Sequence, residues 1–298
     1  MRLLILGVTG MLGHKLFQKL SGKYPETYGT ARRDLSTAPF KNIPFLQNDK
    51  IIKNVDLSDF PTLESLIRSV SPDYVINCAG IIKQRKDMLS PIPCITINAL
   101  LPHKLHELIS KHGGRLIHFS TDCVFNGQRG GYTEADPPDA VDLYGRTKTL
   151  GEVDGEKCLV LRTSMIGREL INHSSLLDWF LSQNGKQIKG FTHAIYSGVT
   201  TNELAKVVEM IIQRYPELSG LYHVVSQPIS KYELLMLARD IFGLDVEIVP
   251  DEDVKIDRSL CGEKFMKRTG YRCPSWRSLL EEIASETEMY RSWGIDLF

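Results

Sequence analysis

The chain has 298 residues, enough for one large domain or two modest ones with an ample core. Hydrophobic residues make up 42% and charged residues 24%, the proportions of an ordinary soluble globular protein. Lys plus Arg and Asp plus Glu both number 36, so the formal net charge is zero, which argues against a nucleic-acid or membrane-surface protein while leaving room for a local basic cleft.

The chain opens with MRLLILGVTG, which has one basic residue, no cleavage-site pattern and too short an apolar run to span a bilayer. It reads as a first strand. Nearly continuous apolar runs then recur at LLILGV (3–8), DYVINCAG (73–80), RLIHFS (115–120) and CLVLRT (158–163), as expected of strands buried on both faces of a parallel sheet. Between them MLGHKLFQKL, FPTLESLIRSV, NALLPHKLHELISK and the segment around Tyr144 carry helical periodicity. This alternation predicts a Rossmann-type, doubly wound α/β sheet over residues 1–165.

After about residue 165 the rhythm loosens. SSLLDWFLSQ, TNELAKVVEMIIQRY, SKYELLMLARDIFG and PSWRSLLEEIASE read as helices, GLYHVV and VEIV as short strands, and HAIYSGVTT and QPISK as loops. A smaller C-terminal α/β substrate lobe is expected over 166–298, with segments near 190–215 packing back on the first sheet. The six cysteines are scattered singly, with no CxxC and no Cys/His cluster at zinc spacing, so no metal site is expected and the compartment reads as reducing, hence cytoplasmic.

The strand-to-helix turn GVTGMLG places glycines at 7, 10 and 13 around Thr9, Met11 and Leu12. Backbone can approach a pyrophosphate closely at a helix N-terminus, where free N–H groups and the helix dipole favour negative charge. The spacing is GxxGxxG, unlike the commoner GxGxxG, yet its place at the head of an alternating α/β pattern points to a dinucleotide. Past the second strand, expected to end near Thr30, Arg32 and Arg33 precede a late Asp34. Arginine there suits a 2′-phosphate and so favours NADP, with NAD as the alternative.

In doubly wound sheets ligands bind at the carboxyl ends of the strands. Those ends supply Asp56, Cys78-Ala79-Gly80, Ser120-Thr121-Asp122 and then Cys123, followed one segment later by Tyr144 and Lys148. Four-residue spacing stacks the phenol and the ammonium on one helical face. Eleven tyrosines in a chain of this length give about one such pair by chance, so the spacing alone decides nothing. Its position after a Ser-Thr-Asp strand end is what converges a hydroxyl, a phenol and an ammonium.

Taken together, GVTGMLG (7–13), NCAG (77–80), INALLP (97–102), STDCVFNG (120–127), YGRTKTLGE (144–152), LRTSMIG (161–167), GLYHV (220–224) and PSW (274–276) resemble the extended short-chain dehydrogenase/reductases, and within them dTDP-4-dehydrorhamnose reductase and its relatives. The resemblance implies NADPH-dependent reduction of the 4-keto group of a nucleotide-linked 4-keto-6-deoxy sugar, feeding surface polysaccharide synthesis. It makes Tyr144 the general acid, Lys148 its electrostatic helper and ribose ligand, and Thr121 the donor to the keto oxygen, with Ser120 as fallback. It further implies that Asp56 and Leu57 hold the adenine, that Asn98 supports the lysine side of the site, and that Asp122, Cys123, Lys255 and Arg258 face the substrate. As residues alone, Asp56 has the alternative of a helix N-cap, Asn98 that of a polar group satisfied by backbone, and Arg162 is either structural or a substrate contact. Cys123 replaces a tyrosine usual in the family, which opens the sugar's identity. A UDP-linked N-acetyl keto-sugar reductase or epimerase, or a catalytically idle cofactor-binding subunit, are the alternatives, and relatives suggest a homodimer.

Overall fold

The computed structural model describes residues 1–82 and 90–296. In chain order the first half comprises β1 (Leu3–Leu6), α1 (Met11–Ser21), β2 (Thr27–Thr30), β3 (Ile51–Ile52), α2 (Phe60–Val70), β4 (Tyr74–Asn77), α3 (Pro91–Cys94), α4 (Leu101–Lys111), β5 (Arg115–Ser120), α5 (Leu143–Leu150) and β6 (Cys158–Arg162). The second comprises β7 (Met165–Ile166), α6 (Leu176–Leu181), β8 (Gln187–Tyr196), β9 (Val199–Thr200), α7 (Thr201–Arg214), β10 (Gly220–His223), β11 (Ile229–Ser230), α8 (Lys231–Phe242), β12 (Glu247–Asp257), α9 (Glu263–Thr269), α10 (Trp276–Ala284) and α11 (Thr287–Ser292).

Seven strands form one parallel sheet in the order β10-β6-β5-β4-β1-β2-β3. The doubly wound fold expected from the alternation is therefore present. Its apolar runs are continuous because both faces are covered. Leu3 and Ile5 enter one core cluster with Ile76, Ile117 and Leu159, while Leu4 and Leu6 enter another with Val75, Leu116 and Val160. Strand order reverses between β1 and β4, so a crevice opens above their carboxyl ends.

GLYHVV supplies β10, which pairs with β6 and completes the large sheet. Helix α7 lies against α1. The end of the chain joins them: Tyr290 Oη lies 2.8 Å from His14 Nε2, and Glu286 accepts from Lys15 Nζ at 2.6 Å. A second sheet, β11-β8-β12, has its own cluster built from Tyr196, Leu234, Ile248, Trp276 and Leu280. Part of the stretch 193–201, which reads as a loop in the sequence, is the end of β8, a ten-residue strand. Gly190, Thr192 and His193 break its apolar alternation, and pairing on both sides supplies what side-chain pattern does not.

Candidate active site

The glycine turn is shaped by contacts that side chains would block. Gly7 has φ +84°, a conformation open to glycine, and its N–H donates to Thr30 Oγ1 at 3.2 Å. A Cβ on Gly13 would lie 2.1 Å from the Gly7 carbonyl oxygen, so only glycine lets α1 settle onto the turn. Helix α1 begins at Gly10 with no side-chain cap and no acid in its first turn. Its free N–H groups and positive dipole end thus face a cleft lined by Thr9, Gly10, Met11 and Leu12. That donor set fits a pyrophosphate. Arg32 and Arg33 line the same cleft, whereas the Asp34 carboxylate is held by Ser36. Across the crevice Cys78, Ala79 and Gly80 line the opposite wall.

Helix α5 carries Tyr144 and Lys148 to the same cleft. Asp142 caps it, accepting from the Gly145 N–H at 2.9 Å. A Cβ on Gly145 would meet the Cys123 carbonyl oxygen at 2.3 Å, so glycine lets the helix press against the turn after β5. Thr121 caps that turn, accepting from the Cys123 N–H at 3.1 Å and donating to Asp122 Oδ1 at 3.0 Å. The Thr121 hydroxyl also hydrogen-bonds the Tyr144 phenol. One helical turn on, Lys148 Nζ donates to the Phe119 carbonyl at 2.6 Å and lies 3.4 Å from His118 Nε2. Thr121, Asp122, Cys123, Tyr144 and Lys148 share one cleft of about 1340 Å³ that runs from the glycine turn to Phe191, Tyr196, Lys231 and Ile256 of the second sheet region.

Burial dominates the electrostatics. It lowers the Lys148 ammonium to about 8, against the pull of Glu152. Tyr144 is half-buried with a face open to the cleft, yet burial raises its phenol, Cys123, Asp122 and Asp142 push the same way, and the Thr121 hydrogen bond opposes them. The net direction is thus upward, opposite to the lowering expected of a phenol beside an ammonium, while Lys148 Nζ is engaged by the Phe119 carbonyl. Burial also raises Asp122, offset by the Thr121 hydrogen bond and the charges of Arg258 and Lys231.

Other expected residues stand elsewhere. The cap of α2 is Asp59, not Asp56, whose Oδ1 is taken by Ser58 at 2.9 and 2.7 Å. Asp56 and Leu57 are outside the cleft lining, Leu57 packing against the core beneath the sheet. Asn98 sits in a π-helical turn (Ile95–Leu100) between α3 and α4, where its amide bonds the Ile81 N–H at 2.8 Å and carbonyl at 2.9 Å. It fastens the segment after Gly80 and does not line the cleft. Strand parity turns Lys255 away while Val254, Ile256 and Arg258 line the cleft. Arg258 Nε donates to the Phe125 carbonyl at 2.9 Å. Ser120, the fallback donor, gives its proton to Glu152 at 2.5 Å, and Glu152 in turn binds Arg162 through two 2.6 Å contacts. Arg162 is therefore structural. Tyr196 and Lys231 also line the cleft, outside the residues that the sequence motifs single out. The S-x-x-E capping box at Ser230 and Glu233 marks the start of α8 and was a usable signal for Lys231. Among the described residues no helix is long and apolar enough to cross a membrane, and no cluster of three His, Cys, Asp or Glu could hold a metal.

The family described as RmlD substrate binding domain matches residues 1–289. The chain belongs to that family. This bears out the resemblance carried by GVTGMLG, STDCVFNG and YGRTK. Over 254 residues the chain is 27% identical to dTDP-4-dehydrorhamnose reductase of Aggregatibacter actinomycetemcomitans, spanning 80% of this chain and 78% of that one. It is also 27% identical over 256 residues to methionine adenosyltransferase 2 subunit beta of Danio rerio, spanning 82% and 74%. Among solved structures, dTDP-4-dehydrorhamnose reductase of Bacillus anthracis in complex with NADP superposes with a TM-score of 0.78 at 22% identity, covering 96% of this chain and 99% of that one.

Proposed function

We propose that the protein is an NADPH-dependent reductase of a nucleotide-linked keto sugar, with Tyr144 as proton donor. The observation that carries this reading is the mutual hydrogen bond of Thr121 and Tyr144 inside a cleft continuous with the uncapped N-terminus of α1. NADPH, when bound, supplies a hydride to the carbonyl carbon. We assign one carbonyl oxygen to Thr121 Oγ1, its proton turning from Asp122 to the substrate, and to Tyr144 Oη. A phenol that burial keeps protonated at neutral pH has a proton to deliver there. Lys148, one helical turn away, supplies the positive charge that favours the resulting phenolate and is assigned the nicotinamide ribose. Arg32 and Arg33 are assigned the adenosine 2′-phosphate, favouring NADP over NAD.

The large sheet is assigned the cofactor and the region around β8, β12 and α8 the sugar nucleotide, through Asp122, Cys123 and Arg258. A 4-keto-6-deoxy sugar linked to dTDP, destined for a surface polysaccharide, is the substrate that the reductase relatives support. A UDP-linked N-acetyl keto sugar is the variant that Cys123 leaves open. We assign the protein to the cytoplasm. Exposed Ile92, Ile95, Leu100 and Leu150, on the helical run from α3 and on α5, offer a face for a second copy of the chain. The adenosyltransferase relative supports a second reading, a cofactor-binding subunit of another enzyme.

NADPH oxidation by the purified chain, across a panel of dTDP- and UDP-linked 4-keto sugars, separates these readings. Wild type is expected to turn over one member, and Tyr144→Phe to bind NADPH but lose about 10²–10⁴-fold in rate. A Tyr144→Phe protein working at the wild-type rate would sink the mechanism. Tight NADPH binding with no turnover across the panel would favour the subunit reading.

A further inference from the structure

Tyr196 ends β8 at the part of the cleft formed by the second sheet region. Its side chain is held firmly. The ring packs on Trp276 with centroids 5.6 Å apart, and a Cβ on Gly198 would meet it at 2.6 Å. Only 7% of the residue is exposed. Yet the hydroxyl is buried with no hydrogen-bond partner among the described residues, although the residue lines the cleft. Buried hydroxyls are nearly always paired, and leaving one unpaired is costly. An orphan of this kind on a cleft wall marks where a ligand group completes the pairing. The Asp122 carboxylate lies within electrostatic reach of the same phenol and lines the same cleft.

We propose that Tyr196 is a specificity residue whose hydroxyl, together with Asp122, receives one hydroxyl of the sugar. The Tyr196 O–H donates to the sugar oxygen, and the sugar O–H donates to the Asp122 carboxylate. This rests on the nucleotide-sugar reading and extends it to the sugar's substitution pattern. A hydroxyl satisfies both partners because it donates and accepts at once. A hydrogen or methyl at that position satisfies neither, and a protonated amine cannot accept from Tyr196. The cleft therefore selects for a hydroxyl at one ring position.

The test is calorimetric binding of dTDP-glucose, UDP-glucose and their single-deoxy analogues to the full chain with NADP present, for wild type and Tyr196→Phe, with melting temperatures alongside. Tyr196→Phe is expected to melt at or above the wild-type temperature, since it loses an unpaired buried group. It is expected to bind the parent sugar nucleotide about tenfold more weakly, while one deoxy analogue binds both proteins equally. Equal binding of the parent by both proteins would overturn the assignment and leave the nucleotide-sugar reading standing. So would the same loss for every analogue, or a variant that melts markedly lower, because each makes the role one of packing. Failure of wild type to bind any of these ligands would overturn the reading itself and the assignment with it.

Discussion

Replacing Lys148 with methionine pits the stability of the fold against the chemistry of the site. The ammonium is 6% exposed, and burial brings it from 10.5 to about 8. The folded protein thus holds this proton less tightly than the unfolded chain does. At about 1.4 kcal/mol per pH unit, the charge costs the fold about 3 kcal/mol at pH 7. Below pH 8 that cost is complete, and it fades as pH rises from 8 toward 10.5. Opposing it, Nζ satisfies the Phe119 carbonyl at 2.6 Å, and orphaning that group costs about 1–3 kcal/mol. Lys148→Met should therefore be as stable as wild type at pH 7, or more stable by up to about 2 kcal/mol. Urea unfolding of both proteins at pH 7.0 and 9.5 measures the difference, which should shift in favour of wild type by about 2 kcal/mol over that interval. A variant weaker by more than about 1 kcal/mol at pH 7, or a pH-independent difference, would refute the assignment of Lys148 as a buried charge held against the interests of the fold. Turnover should be lost in the same variant, the usual relation between a costly site residue and its function.

Two further substitutions probe the nucleotide end. Arg32→Ala combined with Arg33→Ala should weaken NADPH by about tenfold or more while sparing NADH, by fluorescence titration, since hydrogen bonds to charged groups contribute about 1.5–3 kcal/mol. Equal losses for both cofactors would remove the 2′-phosphate assignment. Gly13→Ala would place a methyl 2.1 Å from the Gly7 oxygen, forcing α1 off its turn. It should cost about 1–3 kcal/mol in urea unfolding and abolish cofactor binding, and a variant that binds NADPH normally would show that the turn tolerates the shift.

The parts of the site that are legible in the sequence each have a local cause. Gly7, Gly10 and Gly13 have steric and electrostatic reasons within seven residues. Tyr144 and Lys148 are separated by one helical turn, and Thr121 stands at a strand end that the apolar run RLIHFS announces. What is illegible depends on partners distant in sequence. Ser120 is committed to Glu152, which is committed to Arg162, and no pattern in the sequence links the three. Asn98 is used by Ile81 through an irregular helical turn. Lys255 misses the cleft by one residue of strand parity, which is fixed only once β12 is paired to β8. Likewise GLYHVV declares a strand but not its neighbour, so its place beside β6 emerges only from the tertiary fold. Tyr196 was hidden because Gly190 and the polar residues after it give β8 the look of a loop.

The contacts of His14 and Lys15 bear on the order in which the molecule can be completed. The ring of His14 touches the Gly10 carbonyl through Nδ1 at 2.9 Å and Tyr290 through Nε2, while the buried ammonium of Lys15 meets Glu286. Arg168 stacks its guanidinium over the same Tyr290 ring, 4.7 Å from its centre. Helix α1 therefore carries two polar groups whose partners are synthesised some 270 residues later. Until those partners arrive, Lys15 would have to stay hydrated and α1 could not seat fully. Segments made some 270 residues apart close the glycine turn's helix together.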